Sequence, residues 1–301
     1  MSPTRRLTED EIAIFLFHGV VRTCDYQVRN YTRKHLPRDD FVGVIDSLRQ
    51  AGQALSLPQI VEHCVAGEPF PPRAFAVTFD DGFENNYSVA APILADLGVP
   101  ATFYVTTGYV EDNAMSWIDR IEVFMEYASP GTLRLPWAAR PQRFDDTGSR
   151  IEVLQQIRYH AKRDAAVDPD ALATDIFAQG GLAEVCSGDD PVDRKMNWTQ
   201  LAELARTEGF TVGGHGHTHR IMTSLDDLAL EDEVTRCLDL LAAKASLTTE
   251  HYSYPEGLEN CYSDRVACVL RRHGIVCCPT AQDGTNSLGQ GLFGLKRIAV
   301  A

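Results

Sequence analysis

No stretch of this 301-residue chain is apolar over the roughly 20 residues that a membrane-spanning helix needs, so the sequence reads as that of a protein without transmembrane segments. Basic residues are few beside acidic ones, 28 against 42, and the net charge is -14. That sign repels phosphate backbones and anionic lipid headgroups, which excludes nucleic acid and charged membrane surfaces as expected partners. A secretory leader pattern is also missing: Met1-Ser2-Pro3-Thr4-Arg5-Arg6 runs into the acidic Glu9-Asp10-Glu11, and the apolar run 12–17 is too short to serve. The eight cysteines include no C-x-x-C pair and no regular spacing, so they read as reduced thiols of a cytoplasmic protein. Internal repeats and low-complexity segments are absent too.

What is present is an alternation of strand-like and helix-like segments, the pattern of parallel βαβ units. Strands are expected over residues 12–17, up to Asp80, over 100–106, up to His215, and over 252–254, 275–280 and 295–300. Helices are expected over 39–52, 56–66, 87–97, 199–208, 225–244 and 263–273. The rhythm breaks over residues 112–195, where two helices (148–163 and 169–179) lie among Pro/Arg-rich and Gly/Asp-rich loops. About seven strands predict a single barrel-like α/β domain, residues 1–301, with 112–195 as a helical insertion.

The chemistry is concentrated at strand ends. Ala76-Val77-Thr78-Phe79 runs into Asp80-Asp81-Gly82. Adjacent side chains on a strand point to opposite faces, so two consecutive acids can aim at one centre only where the strand stops and turns. Gly82 permits that turn. Downstream, Phe210-Thr211-Val212-Gly213-Gly214 leads into His215-Gly216-His217-Thr218-His219. Extended, all three imidazoles would share a face; coiled into a turn, His215 and His219 would face together and His217 would not. The glycines favour the turn.

A carboxylate and two imidazoles suit a zinc-type cation and leave positions open for water and substrate. Asp81, His215 and His219 are the candidate ligands, Asp80 the candidate base, and His18, behind Phe15-Leu16-Phe17, the candidate proton donor to a departing amine. Taken singly, each has an ordinary reading as a turn, a cap or a hydrogen-bonded histidine. Their joint occurrence at strand ends carries the argument.

At these residues the chain resembles the NodB-homology polysaccharide deacetylases, carbohydrate esterase family 4. Thr78-Phe79-Asp80-Asp81-Gly82 is similar to the family's first motif, whose first Asp is the base and second a metal ligand. His215-Gly216-His217-Thr218-His219 is similar to the second motif, with Gly216 where a hydroxyl residue is usual; the outer histidines are ligands there. The resemblance covers about residues 12–110 and 197–300 and implies a distorted (β/α)7 barrel. Ser253-Tyr254-Pro255-Glu256-Gly257 stands where the third motif carries an Arg, which is absent here; Arg297 either replaces it or is an ordinary strand-end charge. Leu16-Phe17-His18-Gly19 resembles the N-terminal Tyr-His element of the permuted subgroup that includes the biofilm poly-N-acetylglucosamine deacetylases. Tyr254, Glu256 and Gly257 are the residues at which the resemblance implies substrate and oxyanion contacts.

The implied activity is metal-dependent removal of an N-acetyl group from an amino sugar or an N-acetylglucosamine-containing saccharide. Zinc is the expected ion, with cobalt, nickel or manganese as alternatives. A second reading is deformylation of a nucleotide- or lipid-linked amino sugar; others are a peptide or small-amide hydrolase and a non-catalytic carbohydrate-binding barrel. Trp117, Trp137 and Trp198, in or beside the insertion, offer either sugar-facing rings or ordinary core. The oligomeric state is not legible.

Overall fold

In the computed structural model, which describes residues 3–164 and 166–301, the chain alternates strand and helix for most of its length. Met1 and Ser2, at the head of the segment read for a leader, and Ala165, within the insertion, lie outside the described residues. The elements are β1 (Ala13–Phe17), β2 (Gly19–Val21), β3 (His35–Pro37), α1 (Arg38–Ala51), β4 (Gln53–Ala54), α2 (Leu57–Ala66), β5 (Ala74–Phe79), α3 (Ala91–Asp96), β6 (Ala101–Val105), α4 (Thr107–Asp112) and α5 (Trp117–Tyr127). They continue with β7 (Thr132–Leu133), β8 (Gln142–Arg143), α6 (Thr147–Ala161), α7 (Pro169–Gly180), α8 (Trp198–Arg206), β9 (Phe210–Gly214), α9 (Asp227–Ala245), α10 (Asp264–Arg272) and β10 (Ile298–Ala299).

The central sheet is parallel, in the order β10-β1-β5-β6-β9, with β4 on the leading edge of β5. Beyond β9 the chain at Tyr252 pairs with Gly214, and His251 pairs with Cys277, again parallel. Cys278 and Thr280 then donate to the carbonyls of Leu292 and Leu295, and Arg297 donates to Gln282, which leads the ring back to β10. The outcome is the distorted α/β barrel expected from the strand count. Its last staves are shorter than expected: the strands anticipated over 252–254 and 275–280 survive only as isolated bridges, and 295–300 shrinks to β10. Pro255 and Pro279 lack the N–H that a ladder needs, so pairing cannot run on through them.

Side chains alternate between two layers. Along β5, Phe75, Val77 and Phe79 join the large core under the helices, whereas Ala74 and Ala76 join a smaller cluster with Ile12, Ile14 and Cys277. The helix expected over 87–97 divides into a π-turn at Asn86–Ala90 followed by α3. Pro92, with no N–H, cannot extend the α-helical bonding backwards. Helices α6 and α7 appear close to their expected positions, and α4 and α5 are additional.

The segment 112–195, expected as an insertion, carries an apolar core of its own. Trp117, Ile121 and Phe124 of α5 pack with Leu154 and Ile157 of α6 and with Ile176 and Phe177 of α7; Val28, from the loop after β2, joins them. Among the described residues no helix is long and apolar enough to cross a membrane.

Candidate active site

The period of two that places Ala76 and Thr78 on one face of β5 delivers Asp80 to the same side. Asp81 would then face the opposite way, but its backbone turns: φ is 73° at Asp81 and 78° at Gly82. A left-handed φ is strained for a non-glycine residue, and here it rotates the second carboxylate back toward the first. The turn expected at Gly82 therefore begins one residue earlier. Both acids are buried.

The histidines are arranged by a comparable turn. His215 N–H donates to the Val105 carbonyl, continuing the β6–β9 register past the strand end. The chain then reverses, with φ of 81° at Gly216 and 60° at His219. A Cβ on Gly216 would stand 2.8 Å from Glu233 Oε1, which accounts for glycine where the related motif has a hydroxyl residue. That Glu233 carboxylate, on α9, accepts from the N–H groups of His217 and Thr218, both at 2.7 Å, and from the Thr218 hydroxyl at 2.8 Å. His217 turns away and pairs through Nδ1 with the Thr107 hydroxyl at 3.1 Å, as the turn reading requires.

Asp81 Oδ1 lies 3.6 Å from His215 Nε2 and 3.4 Å from His219 Nε2. Ligand atoms of the three residues all fall within 4.8 Å of one another. His215 donates its Nδ1–H to the Ser253 carbonyl at 2.9 Å, which leaves Nε2 as a lone-pair donor aimed at the group. One carboxylate oxygen and two ring nitrogens at these separations fit a zinc-type cation, so the donor set agrees with the expected ligands.

Asp80 Oδ2 is 3.8 Å from His215 Nε2 and looks onto the same centre. Arg297, the candidate replacement for the absent motif Arg, reaches the base: its two terminal nitrogens meet Asp80 Oδ1 and Oδ2 at 2.8 and 2.7 Å. Its remaining donors reach Thr78 Oγ1, Ser253 Oγ and the Thr280 carbonyl, so the whole fork is satisfied in a fully buried position. Burial would raise the Asp80 carboxyl; the charge and hydrogen bonds of Arg297, together with His215 and His18, hold the group below its usual value. Asp81 is likewise pushed up by burial and pulled well below its usual range by Lys34 and His219.

His18, directly after β1, feels Asp81, Lys34, Asp80 and Arg297, in that order of strength. Burial is the largest influence and lowers it to about 4, so the ring is neutral at neutral pH. Burial also lowers His215, and the hydrogen bond to Asp81 raises His219 despite burial.

Three charged residues were not anticipated. Lys34 Nζ sits 3.2 Å from Asp81 Oδ2 and 3.0 and 3.3 Å from the two oxygens of Asp119, in the first turn of α5. Lys195 lies 3.9 Å from Asp119 Oδ2, over the Phe83 ring at 3.4 Å. Burial lowers its ammonium to about 8, against the pull of Asp119. Burial would raise Asp119; Lys34 and Lys195 together hold it well below the usual range. No spacing signal links these positions in sequence.

The third-motif segment divides. Tyr254, expected at the substrate, is a core residue: its ring stacks on Tyr262 at 5.2 Å and its hydroxyl donates to the Phe293 carbonyl at 3.1 Å. The same alternation that turns Ser253 inward to Arg297 turns Tyr254 outward into the helix layer. Gly257 N–H is occupied by the Pro255 carbonyl at 2.7 Å. Glu256, at φ of 61°, lines the cleft, and its carboxylate pairs with Lys162 of the insertion. The cleft, about 790 Å³, lies between the insertion and the barrel, with Tyr109, Trp117, Lys162, His219, Arg220 and Glu256 among its walls. Of the other tryptophans, Trp137 stacks on His160 at 4.4 Å and Trp198 donates to Glu111.

No curated protein matches the chain significantly. Among solved structures, the Streptococcus pyogenes deacetylase PplD, in complex with acetate, is similar at 17% identity and a TM-score of 0.62 over 97% of this chain and 93% of that one. IcaB from Ammonifex degensii is similar at 18% identity and a TM-score of 0.61, over 98% and 94% of the two chains. The BpsB deacetylase domain from Bordetella bronchiseptica is similar at 16% and 0.56, over 97% of each. At such identities these likenesses establish the fold. Residues 67–152 and 171–278, more than half of the chain and including Asp80, Asp81, His215 and His219, match the polysaccharide deacetylase family, and the chain belongs to that family.

Proposed function

We propose that the protein is a metal-dependent hydrolase that removes the N-acetyl group of an amino sugar or of an N-acetylglucosamine-containing saccharide. What supports the reading is the convergence of Asp80, gripped by Arg297, on the same centre as Asp81, His215 and His219. A binding module has no use for an ionised carboxylate held beside a cation site. A divalent ion held by Asp81, His215 and His219 supplies Lewis acidity and brings the pKa of water down toward about 7.

The remaining work falls to the chain's own residues. Asp80 Oδ2, on the side of the ligands, takes the proton of the attacking water. Arg297 keeps that carboxylate ionised and fixed in plane. The developing oxyanion is met by the backbone N–H of Glu256, which has no acceptor among the described residues. His18 hands a proton to the leaving amine. Because burial keeps the ring neutral at rest, it must take that proton up during the cycle, and Asp81 and Asp80 favour the uptake. The cleft volume suits a sugar unit and its immediate neighbour. The eight free cysteines support work in a reducing compartment, the cytoplasm, on a soluble amino-sugar conjugate.

The test is mass spectrometry of N-acetyl and N-formyl amino sugars, free, nucleotide-linked and oligomeric, incubated with zinc-loaded protein. Exchange of one acetyl group for hydrogen is expected in an N-acetyl substrate. Loss of formyl alone transfers the reading to a deformylase, and no mass change in any sugar alongside cleavage of a simple amide overturns it.

A further inference from the structure

The two oxygens of Asp81 face different partners. Oδ1 points to His215 Nε2 and His219 Nε2, while Oδ2 lies 3.2 Å from the Lys34 ammonium. We infer that Lys34 is a positioning residue that confines Asp81 to one-oxygen ligation, and that the insertion exists in part to hold Lys34 there. The inference rests on the reading of Asp81, His215 and His219 as metal ligands.

Lys34 is itself tightly built in. Its ammonium bridges Asp81 to Asp119 of α5 and lies over the Phe83 ring at 4.6 Å. The loop that carries it is clamped to the same helix face. Glu126 accepts from the N–H groups of Gln27, Val28 and Arg29 at 3.2, 2.8 and 3.0 Å, and Glu122 accepts from that of Asn30 at 3.0 Å. Asn30 then pairs with both backbone groups of His35, closing the turn around Lys34. Asp119, Glu122 and Glu126 stand three and four residues apart, so one stripe of α5 holds both the loop backbone and the ammonium at its tip.

A carboxylate with both oxygens free can take a cation in bidentate fashion and fill a position that water or substrate needs. An ammonium on Oδ2 opposes this, since it occupies one oxygen and repels a second cation from that side. A role limited to neutralising buried Asp119 would leave ligation at Asp81 unchanged.

The probe is cobalt(II) alone, added to the metal-stripped protein, with visible absorption per bound ion as the readout; intensity falls as coordination number rises. Two variants are compared, Lys34→Met and the double variant Lys34→Met/Asp119→Asn, which removes one charge of each sign and so guards against loss of the fold, monitored by circular dichroism. Both are expected to bind one cobalt per chain with a weaker visible band, and turnover is expected to fall about 10- to 100-fold, as for other groups that orient a metal ligand. A spectrum identical to that of the unaltered protein in either folded variant overturns the positioning role, whatever happens to turnover. Failure of the unaltered protein to bind cobalt overturns the ligand reading itself, and with it this inference.

Discussion

The Arg297 guanidinium meets both oxygens of Asp80, at 2.8 and 2.7 Å, across 217 positions of sequence. Both side chains are buried, so neither can exchange its partner for water. Removing one member of such a pair leaves an uncompensated charge, at a cost of about 3 to 5 kcal/mol, whereas removing both is far milder. Arg297→Met should lower unfolding stability by that amount in urea titrations. The double variant Arg297→Met/Asp80→Asn should recover most of the stability and none of the turnover. Equal stability of the two would mean that the pair is not coupled.

Turnover and metal content separate the two adjacent acids. Asp80→Asn keeps shape and the ligand set but removes the base, so turnover should fall about 100- to 10,000-fold with metal stoichiometry unchanged. Asp81→Ala should lose both. Metal analysis of the purified variants beside their rates makes the distinction. Unchanged turnover in Asp80→Asn would refute the base assignment.

The acids and histidines could be singled out because each pair lies within a few residues and its turn has a local signal, Gly82 for the acids and Gly213-Gly214 for the histidines; the part that Gly216 plays came only with the structure. The parallel βαβ alternation was legible because strand-like and helix-like stretches follow one another along the chain, although the short β2, β3, β4, β7 and β8 were not anticipated. Arg297 was visible only as a candidate, since nothing in a linear reading brings the end of the chain to β5; the closing of the barrel does. Lys34 was invisible. Its partner Asp119 and the loop clamps Glu122 and Glu126 form an acidic stripe at helical spacing, which in sequence reads as a solvated face and in the structure is turned inward onto another loop. Tyr254 was misread because a motif-based expectation overrode the alternation that assigns Ser253 and Tyr254 to opposite faces.

Bound metal should stabilise the fold through its ligands and through no other histidine of the cluster. A ligand that binds only the native state at 100 times its dissociation constant adds about 2.7 kcal/mol. Zinc should therefore raise the melting temperature of the unaltered protein, and a chelator should reverse the rise. His219→Ala should abolish the response. His217→Ala, which loses only the Thr107 contact, should keep it. A lost response in His217→Ala would make that ring a ligand and contradict the turn geometry.

A pH effect independent of the site comes from His251, at the barrel stave that pairs with Cys277. The residue is 6% exposed, its Nδ1 has no partner, and burial alone lowers the ring to about 4. Because the folded value lies below the unfolded value of about 6.5, the unfolded chain binds the extra proton between these limits. The stability tied to the neutral ring is therefore complete above pH 6.5 and declines toward pH 4, below which the loss levels off. Between pH 7.5 and 4.5 the unaltered protein should lose roughly 2 to 3 kcal/mol more than His251→Phe, which cannot take a charge. Urea titrations of both at the two pH values give the difference, and all other titrating groups cancel in it. Parallel losses in the two proteins would mean that His251 is hydrated, or hydrogen-bonded through a water, in the native state.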